Sequence, residues 1–374
     1  MDEENYRNEK INFFSNLKGT TIDRVLNTLT IVPLIYLVSI FVKVLILLKK
    51  KNAKIGFWRS FLVDYSLYLI PIVFVFTLLE KWTDTIIFYL IITSAILYLI
   101  SKSTKFDNSL QKDSIDKSLD SIEIKIIKMS ISSFRLCVYA LTTVSILAVD
   151  FKIFPRHLAK TETVGTSAMD LGVGMYMAVH SMKLIRNDHI DPKDSFSIKN
   201  LPRKFIAELK RSSILLIIGS MRLVSVKSTN YIEHVSEYGV HWNFLFTIVV
   251  VKLIVCLIQP FIRNSPIRSL LLASLIGFYY QYFLTRKNYT QYLLSDKRDF
   301  TSFVDMNKEG IFSCAGYFAI YLVFQAICLR INQIINNKEP NKKFRKTFKC
   351  IVTLIVMNIV FWFLLQHSST YFQA

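Results

Sequence analysis

An all-α, polytopic transmembrane helical bundle of about ten to thirteen spans is the fold class this sequence predicts, and three observations predict it. The apolar residues gather in blocks of about 18 to 25 positions with few charges, the length a helix needs to cross roughly 30 Å of hydrocarbon. Of the 374 residues 52% are hydrophobic, with 29 Phe and 18 Tyr beside only 10 Gly and 8 Pro. A transmembrane barrel would instead show short alternating segments. The Lys and Arg behind a formal charge of +19 sit mainly in the links between blocks, where membrane orientation accounts for them. That placement argues against nucleic acid as a partner, the first thought for so basic a chain.

In chain order, residues 1–24 form a polar N-terminal segment. Its start, MDEENYRNEK, lacks the basic opening and apolar core of a cleaved signal peptide. One transmembrane domain follows over 25–366, and 367–374 is a tail. The spans are read at about 25–48, 60–80, 83–101, 126–149, 164–184, 208–226, 243–262, 267–284, 311–330 and 348–366. Only Glu80, Lys81, Trp82, Thr83 and Asp84 divide the second from the third, which predicts a tight helical hairpin. Residues 102–125, with interleaved Lys and Asp, have too little apolar surface to make a core and read as a solvated connector. The 185–207 link is similar, with Asp191-Pro192 as a breaker. Cys137, Cys256, Cys314, Cys328 and Cys350 are scattered without metal-ligand spacing and read as small apolar fillers.

The links after the first, third, fifth and ninth spans carry KKKNAK, the Lys-rich 102–125 stretch, the Lys/Arg cluster from Lys183 to Arg211, and NNKEPNKKFRKTFK. The positive-inside bias turns these toward the cytoplasm and the N-terminus and even-numbered links away from it. Asp150 to Glu162, Tyr231 to His241 and Arg286 to Gly310 then share the far side. Asn288-Tyr289-Thr290, a glycosylation sequon, falls there too.

The first of these polar groups, SILAVDFKIFPRHLAKTETVGTSAMDLGVG from Ser145 to Gly174, holds the leading candidates for chemistry. Asp150 closes an apolar block, so its carboxylate is partly desolvated and suited to act as a base, and Lys160 can keep it ionised or face a developing negative charge. A salt bridge at the membrane surface is the competing reading. Arg156 has the fork that suits a phosphate, and Glu162 lies beside the pair. His157 lies between Asp150 and Lys160. Asp170, an acid inside a span, must either pair with a cation or line a cavity. Gly165, Gly172 and Gly174 suit close helix packing better than phosphate cradling. In EHVSEYGVHWN, His234, Glu237 and His241 share a helical face at a spacing that could hold a metal, but the pattern is not HExxH and Gly239 weakens the helix. No metal site is expected. In NKEGIFSCAGYFAIYL, Asn307, Lys308 and Glu309 can cap the ninth span.

These three patches resemble the inositol acyltransferase family of the GPI-anchor pathway, most specifically in AVDF..FPR..AK.E..G and GTS.MDLGVG. The resemblance runs through most of the chain from the first span and is weak in the basic links. It implies an acyl-CoA-dependent O-acyltransferase of the endoplasmic reticulum membrane, with the active-site links lumenal. The acyl chain, with palmitoyl-CoA as cosubstrate, goes to the inositol ring of glucosaminyl-phosphatidylinositol, and no tightly bound cofactor is implied. It also implies that Asp150 and Lys160 are catalytic and that Arg156, Glu162, Asp170, Glu237, His241 and Asn307 face the substrate. Composition alone equally allows a transporter of a lipid or small solute, or a noncatalytic subunit of a membrane glycolipid assembly.

Overall fold

The computed structural model describes residues 17–49, 56–103, 115–161, 165–182, 198–228, 235–262, 265–286 and 289–336, with scattered positions before 17. The long helices are α1 (Ile22–Lys49), α2 (Phe57–Asp64) continuing through a π turn into α3 (Ile70–Thr77), α4 (Thr83–Ser103) and α5 (Ile115–Ala148). They continue with α6 (Ala168–Ser181), α7 (Leu201–Ser228), the short α8 (Val235–Tyr238), α9 (Phe244–Ile262) and α10 (Pro266–Arg286). Two short helices, α11 (Tyr289–Leu294) and α12 (Phe303–Met306), precede α13 (Lys308–Asn336). Among the described residues there is no strand, only an isolated parallel bridge between Gly19 and Thr166.

Local chemistry sets several boundaries. The π turn at Tyr65–Leu69 closes with the Ile70 N–H donating to Tyr65, just ahead of Pro71, which has no N–H to continue a regular ladder. Glu80–Trp82 forms a single 3₁₀ turn leading into α4, the tight hairpin expected there. Ser167 caps α6 by accepting from the Asp170 N–H, the S-x-x-D form of a capping box.

Among the described residues, six segments are long and apolar enough to cross a membrane: Ile22–Ile46, Phe57–Thr77, Glu80–Ser101, Ile131–Ala148, Phe244–Ile262 and Lys308–Ile334. This is fewer than the ten to thirteen spans expected. The segment read as a span over 164–184 is helical only through the 14 residues of α6, about 21 Å long and too short to cross alone. α7 and α10 have sufficient length but are not apolar enough for the same count. The expected span at 348–366 and the tail lie outside the described residues.

Two cores form. The first joins α1, α3 and α5 around Val25, Ile31, Ile72, Phe76 and Leu141, and takes in Phe154 and Leu158 from the link after α5. The second joins α6, α9, α10 and α13 around Met177, Ile248, Val251, Phe318 and Leu322. α6 bridges them, since Ala168 belongs to the first and Met177 to the second. Outward, Phe57, Phe88, Leu99, Ile217 and Phe278 are all more than half exposed. An outer surface this apolar is stable against lipid and not against water.

Candidate functional site

Phe154 and Leu158 anchor the segment that follows α5. They are 1% and 0% exposed, and burial of side chains this size contributes about 2 kcal/mol each. Between them Arg156 folds back on the helix end. Its Nη2 donates to the carbonyls of Val149 at 2.6 Å and Phe151 at 3.3 Å, and its Nε donates to that of Phe154 at 3.2 Å. The Val149 carbonyl lies just past the end of α5, where helix carbonyls lack intrahelical donors, and that of Phe151 also accepts the Phe154 N–H at 3.1 Å. The guanidinium also covers the Phe13 ring at 4.1 Å. Burial lowers its pKa, and the negative charge of nearby Asp150 opposes that shift. Asp150 itself is exposed.

The other end of the segment is held as firmly. The Thr20 N–H donates to the Thr166 carbonyl at 2.8 Å. The approach leaves no room for a side chain, because a Cβ on Gly165 would meet the Lys18 carbonyl oxygen at 2.3 Å and one on Gly19 the Thr166 oxygen at 2.4 Å. Both residues have positive φ, conformations that favour glycine. Gly165 therefore serves a backbone approach and not the helix packing expected of it. Gly172, facing Thr142 on α5, and Gly174, facing Ile320 on α13, do sit at helix contacts. Thr161 donates through N and Oγ1 to the Asp170 carboxylate, at 3.4 and 3.0 Å, which joins the segment to the first turn of α6.

Lys160, just past the buried Ala159, places its Nζ 3.0 Å from Glu237 Oε2 and 4.6 Å from the centre of the Tyr238 ring. Glu237 and Tyr238 end α8, and Gly239 turns the chain at φ 105° with its Cα against Asn307. The buried Asn307 accepts the His241 N–H at Oδ1 (2.8 Å) and donates from Nδ2 to the Phe303 carbonyl at 2.9 Å. Lys227 Nζ donates to His241 Nδ1 at 2.6 Å, which leaves the ring proton on Nε2. The three sequence patches, wide apart in the chain, thus meet at one end of the bundle. Glu162, also expected here, lies outside the described residues, as does His234. Among the described residues no group of three or more His, Cys, Asp or Glu is placed to hold a metal.

Some important contacts were not anticipated from sequence. Glu80, 5% exposed, receives Arg24 Nε at 3.0 Å and Nη2 at 2.8 Å, and lies 2.9 Å from His157 Nε2. Lys308 does more than cap α13: it is fully buried, and its Nζ donates to the carbonyls of Tyr292, Ser295 and Lys297. Glu309 takes a two-pronged bond from Arg298, at 2.9 and 2.7 Å, and this paired carboxylate raises the Arg298 pKa. Around Asp305, bonds from the Tyr292 hydroxyl and then the Asp299 N–H hold its carboxyl below the usual range.

The GWT1 family model matches residues 6–374. The chain belongs to the GWT1 family. A relative from Candida albicans, named GPI-anchored wall transfer protein 1, is 30% identical over 363 residues, covering 92% of this chain and 72% of the relative. The Aspergillus fumigatus protein of the same name is 31% identical over 394 residues, covering 98% and 74%. The Candida glabrata one reaches 40% over 234 residues, covering 61% of this chain and 45% of its own. The family suggested by the three patches is thus the one the whole chain matches.

Proposed function

We propose that the protein acts in GPI-anchor biosynthesis as an O-acyltransferase, moving a long-chain acyl group from acyl-CoA to an inositol hydroxyl of glucosaminyl-phosphatidylinositol. The observation that carries this reading is the contact of Lys160 with Glu237, which closes the Asp150–Lys160 segment onto the other two patches in a chain of this family. Asp150 takes the proton from the attacking hydroxyl, and Lys160 offers positive potential to the oxygen that becomes negative as the thioester is attacked. Asp170, Glu237 and His241 face the sugar head, and Glu162 is assigned to the same task. Arg156, through Nε and Nη2, and Asn307 hold backbone groups of the segments that carry these residues, while Arg156 Nη1 is buried without a hydrogen-bond partner among the described residues. The site faces the lumen of the endoplasmic reticulum. The N-terminal turn at Arg24, the Glu80 hairpin and the links at His157, Lys160, His241 and Asn307 share one end of the bundle, while Lys43 pairs with Asp64 where α1 meets α2.

The direct test gives purified protein palmitoyl-CoA and glucosaminyl-phosphatidylinositol in detergent and follows the products by mass. A palmitoyl ester on the inositol ring is expected. Wild-type protein that binds both compounds and forms no such ester overturns the reading.

A further inference from the structure

The hairpin between α3 and α4 reaches into the stretch that carries Asp150 and Lys160. Glu80, in the 3₁₀ turn Glu80–Trp82, is buried, and its Oε1 accepts three bonds, from Arg24 Nε at 3.0 Å, Arg24 Nη2 at 2.8 Å and His157 Nε2 at 2.9 Å. A carboxylate oxygen only accepts, so His157 carries a proton on Nε2. Arg24 ties Glu80 to α1, and one turn further along Asn27 Nδ2 donates to Asp84 Oδ1 at 2.9 Å. Held to α1 at two points, the hairpin makes Glu80 a fixed post. His157 lies in the 3₁₀ turn Arg156–Leu158, just ahead of Lys160. Its neighbours are anchored differently. Phe154, Leu158 and Ala159 are buried in the same core as Ile72 and Phe76 of α3, and apolar burial sets depth with little directional demand. Arg156 bonds back to the carbonyls of Val149, Phe151 and Phe154 in its own stretch. His157 instead bonds outward to another element, and hydrogen bonds to a charged group are strong and directional.

We infer that Glu80 is a positioning residue for acyl transfer: through His157 it fixes the stretch from which Asp150 and Lys160 are presented. Both residues must meet the reacting atoms at once, and a misplacement of about 1 Å can cost on the order of 10²-fold in rate. A stretch free to slide over an apolar core would meet that demand only part of the time. His157 needs only to donate to Glu80, so it takes no proton in the reaction. The inference rests on the acyltransferase reading for the chemistry that is positioned.

The test uses the full-length protein in detergent with palmitoyl-CoA and glucosaminyl-phosphatidylinositol. His157→Ala removes the tie and leaves Glu80 with Arg24, so the unfolding temperature should stay near that of wild type. Turnover should fall about tenfold, with each KM changed less than about twofold. His157→Gln restores a donor at the position of Nε2 but cannot shuttle a proton, and should return turnover to within about threefold of wild type. The double variant Glu80→Ala/His157→Ala should be no slower than Glu80→Ala, because both changes break the same contact. Amide exchange over residues 150–160 should quicken in His157→Ala and slow again in His157→Gln. Normal turnover and exchange in His157→Ala overturns the inference. So does His157→Gln as slow as His157→Ala, which would give His157 a proton-transfer role of its own. If the wild type forms no ester, the acyltransferase reading falls instead. The exchange comparison still decides whether Glu80 holds the stretch: quickened exchange in His157→Ala, restored in His157→Gln, supports it, and equal exchange removes it.

Discussion

Lys160 Nζ and Glu237 Oε2 stand 3.0 Å apart, with side chains 30% and 34% exposed. A pair this open contributes at most about 1 kcal/mol to stability, so its consequence lies in where it holds the ammonium. Glu237→Gln should leave thermal unfolding nearly unchanged and lower turnover about tenfold, because Lys160 loses the charge that orients it. Lys160→Ala should lose about a hundredfold. Normal turnover in Glu237→Gln would mark the contact as an incidental ion pair.

Glu80 behaves in the opposite way. Its carboxylate is buried while its partners Arg24 and His157 remain partly open to solvent. Removing a cation strands a buried charge, and removing the acid strands only groups that water can reach. Arg24→Ala should therefore destabilise by about 2 kcal/mol and Glu80→Gln by about 1 kcal/mol. Thermal unfolding in detergent measures both, and the reverse order would contradict this account.

The turn at Gly239 links stability to acceptor use. A Cβ there would meet the Asn307 Cα at 2.5 Å, in a backbone conformation few other residues adopt. Asn307→Ala orphans the His241 N–H and the Phe303 carbonyl, a loss of about 2 kcal/mol. Both Gly239→Ala and Asn307→Ala should raise the glycolipid KM more than the palmitoyl-CoA KM. Equal effects on the two substrates would make the turn a folding element alone.

Strong hydropathy made the first four spans and the helical hairpin legible, and counting links placed the polar patches at one end. Contacts between distant residues were less legible. Nothing local to Glu-Lys-Trp-Thr-Asp says that Glu80 is buried, since the partners that make burial tolerable lie at Arg24 and His157. The short α6 follows from Ser167 and Asp170, whose capping pattern starts the helix inside an apolar stretch that hydropathy treats as continuous. At Lys308 the sequence shows a cation beside Glu309. The structure gives that acid to Arg298 and gives Lys308 three backbone carbonyls.

The loop before α13 should respond to acid. Asp305 is held below the usual carboxylate range by the Tyr292 hydroxyl and the Asp299 N–H. A depressed folded value means that its stabilising effect is present above the unfolded pKa of about 3.9 and is lost as pH falls through the folded one. Asp305→Asn should therefore lower the unfolding temperature at pH 7, and the gap to wild type should close as the pH falls toward about 3. A gap that stays constant over this range would mean that the carboxylate charge contributes nothing.

Asp150 and Cys314 separate the two routes an acyl group could take. Direct transfer needs a base at the inositol hydroxyl, and the exposed Asp150 can reach a lipid headgroup at the bundle end. A covalent route needs an accessible thiolate. Cys314 is only 5% exposed, and its thiol donates to the Gly310 carbonyl at 3.2 Å within α13. Asp150→Asn keeps size and hydrogen bonding while removing the base, so turnover should fall by about a hundredfold or more with palmitoyl-CoA binding retained. Cys314→Ala should remain within about threefold of wild type, since it removes a buried thiol from helix packing and leaves the reacting groups intact. Near-normal turnover by folded Asp150→Asn would remove Asp150 from the chemical step. Loss of transfer in Cys314→Ala, together with a thioester-linked palmitoyl group trapped on the wild-type protein, would replace direct transfer with the covalent route.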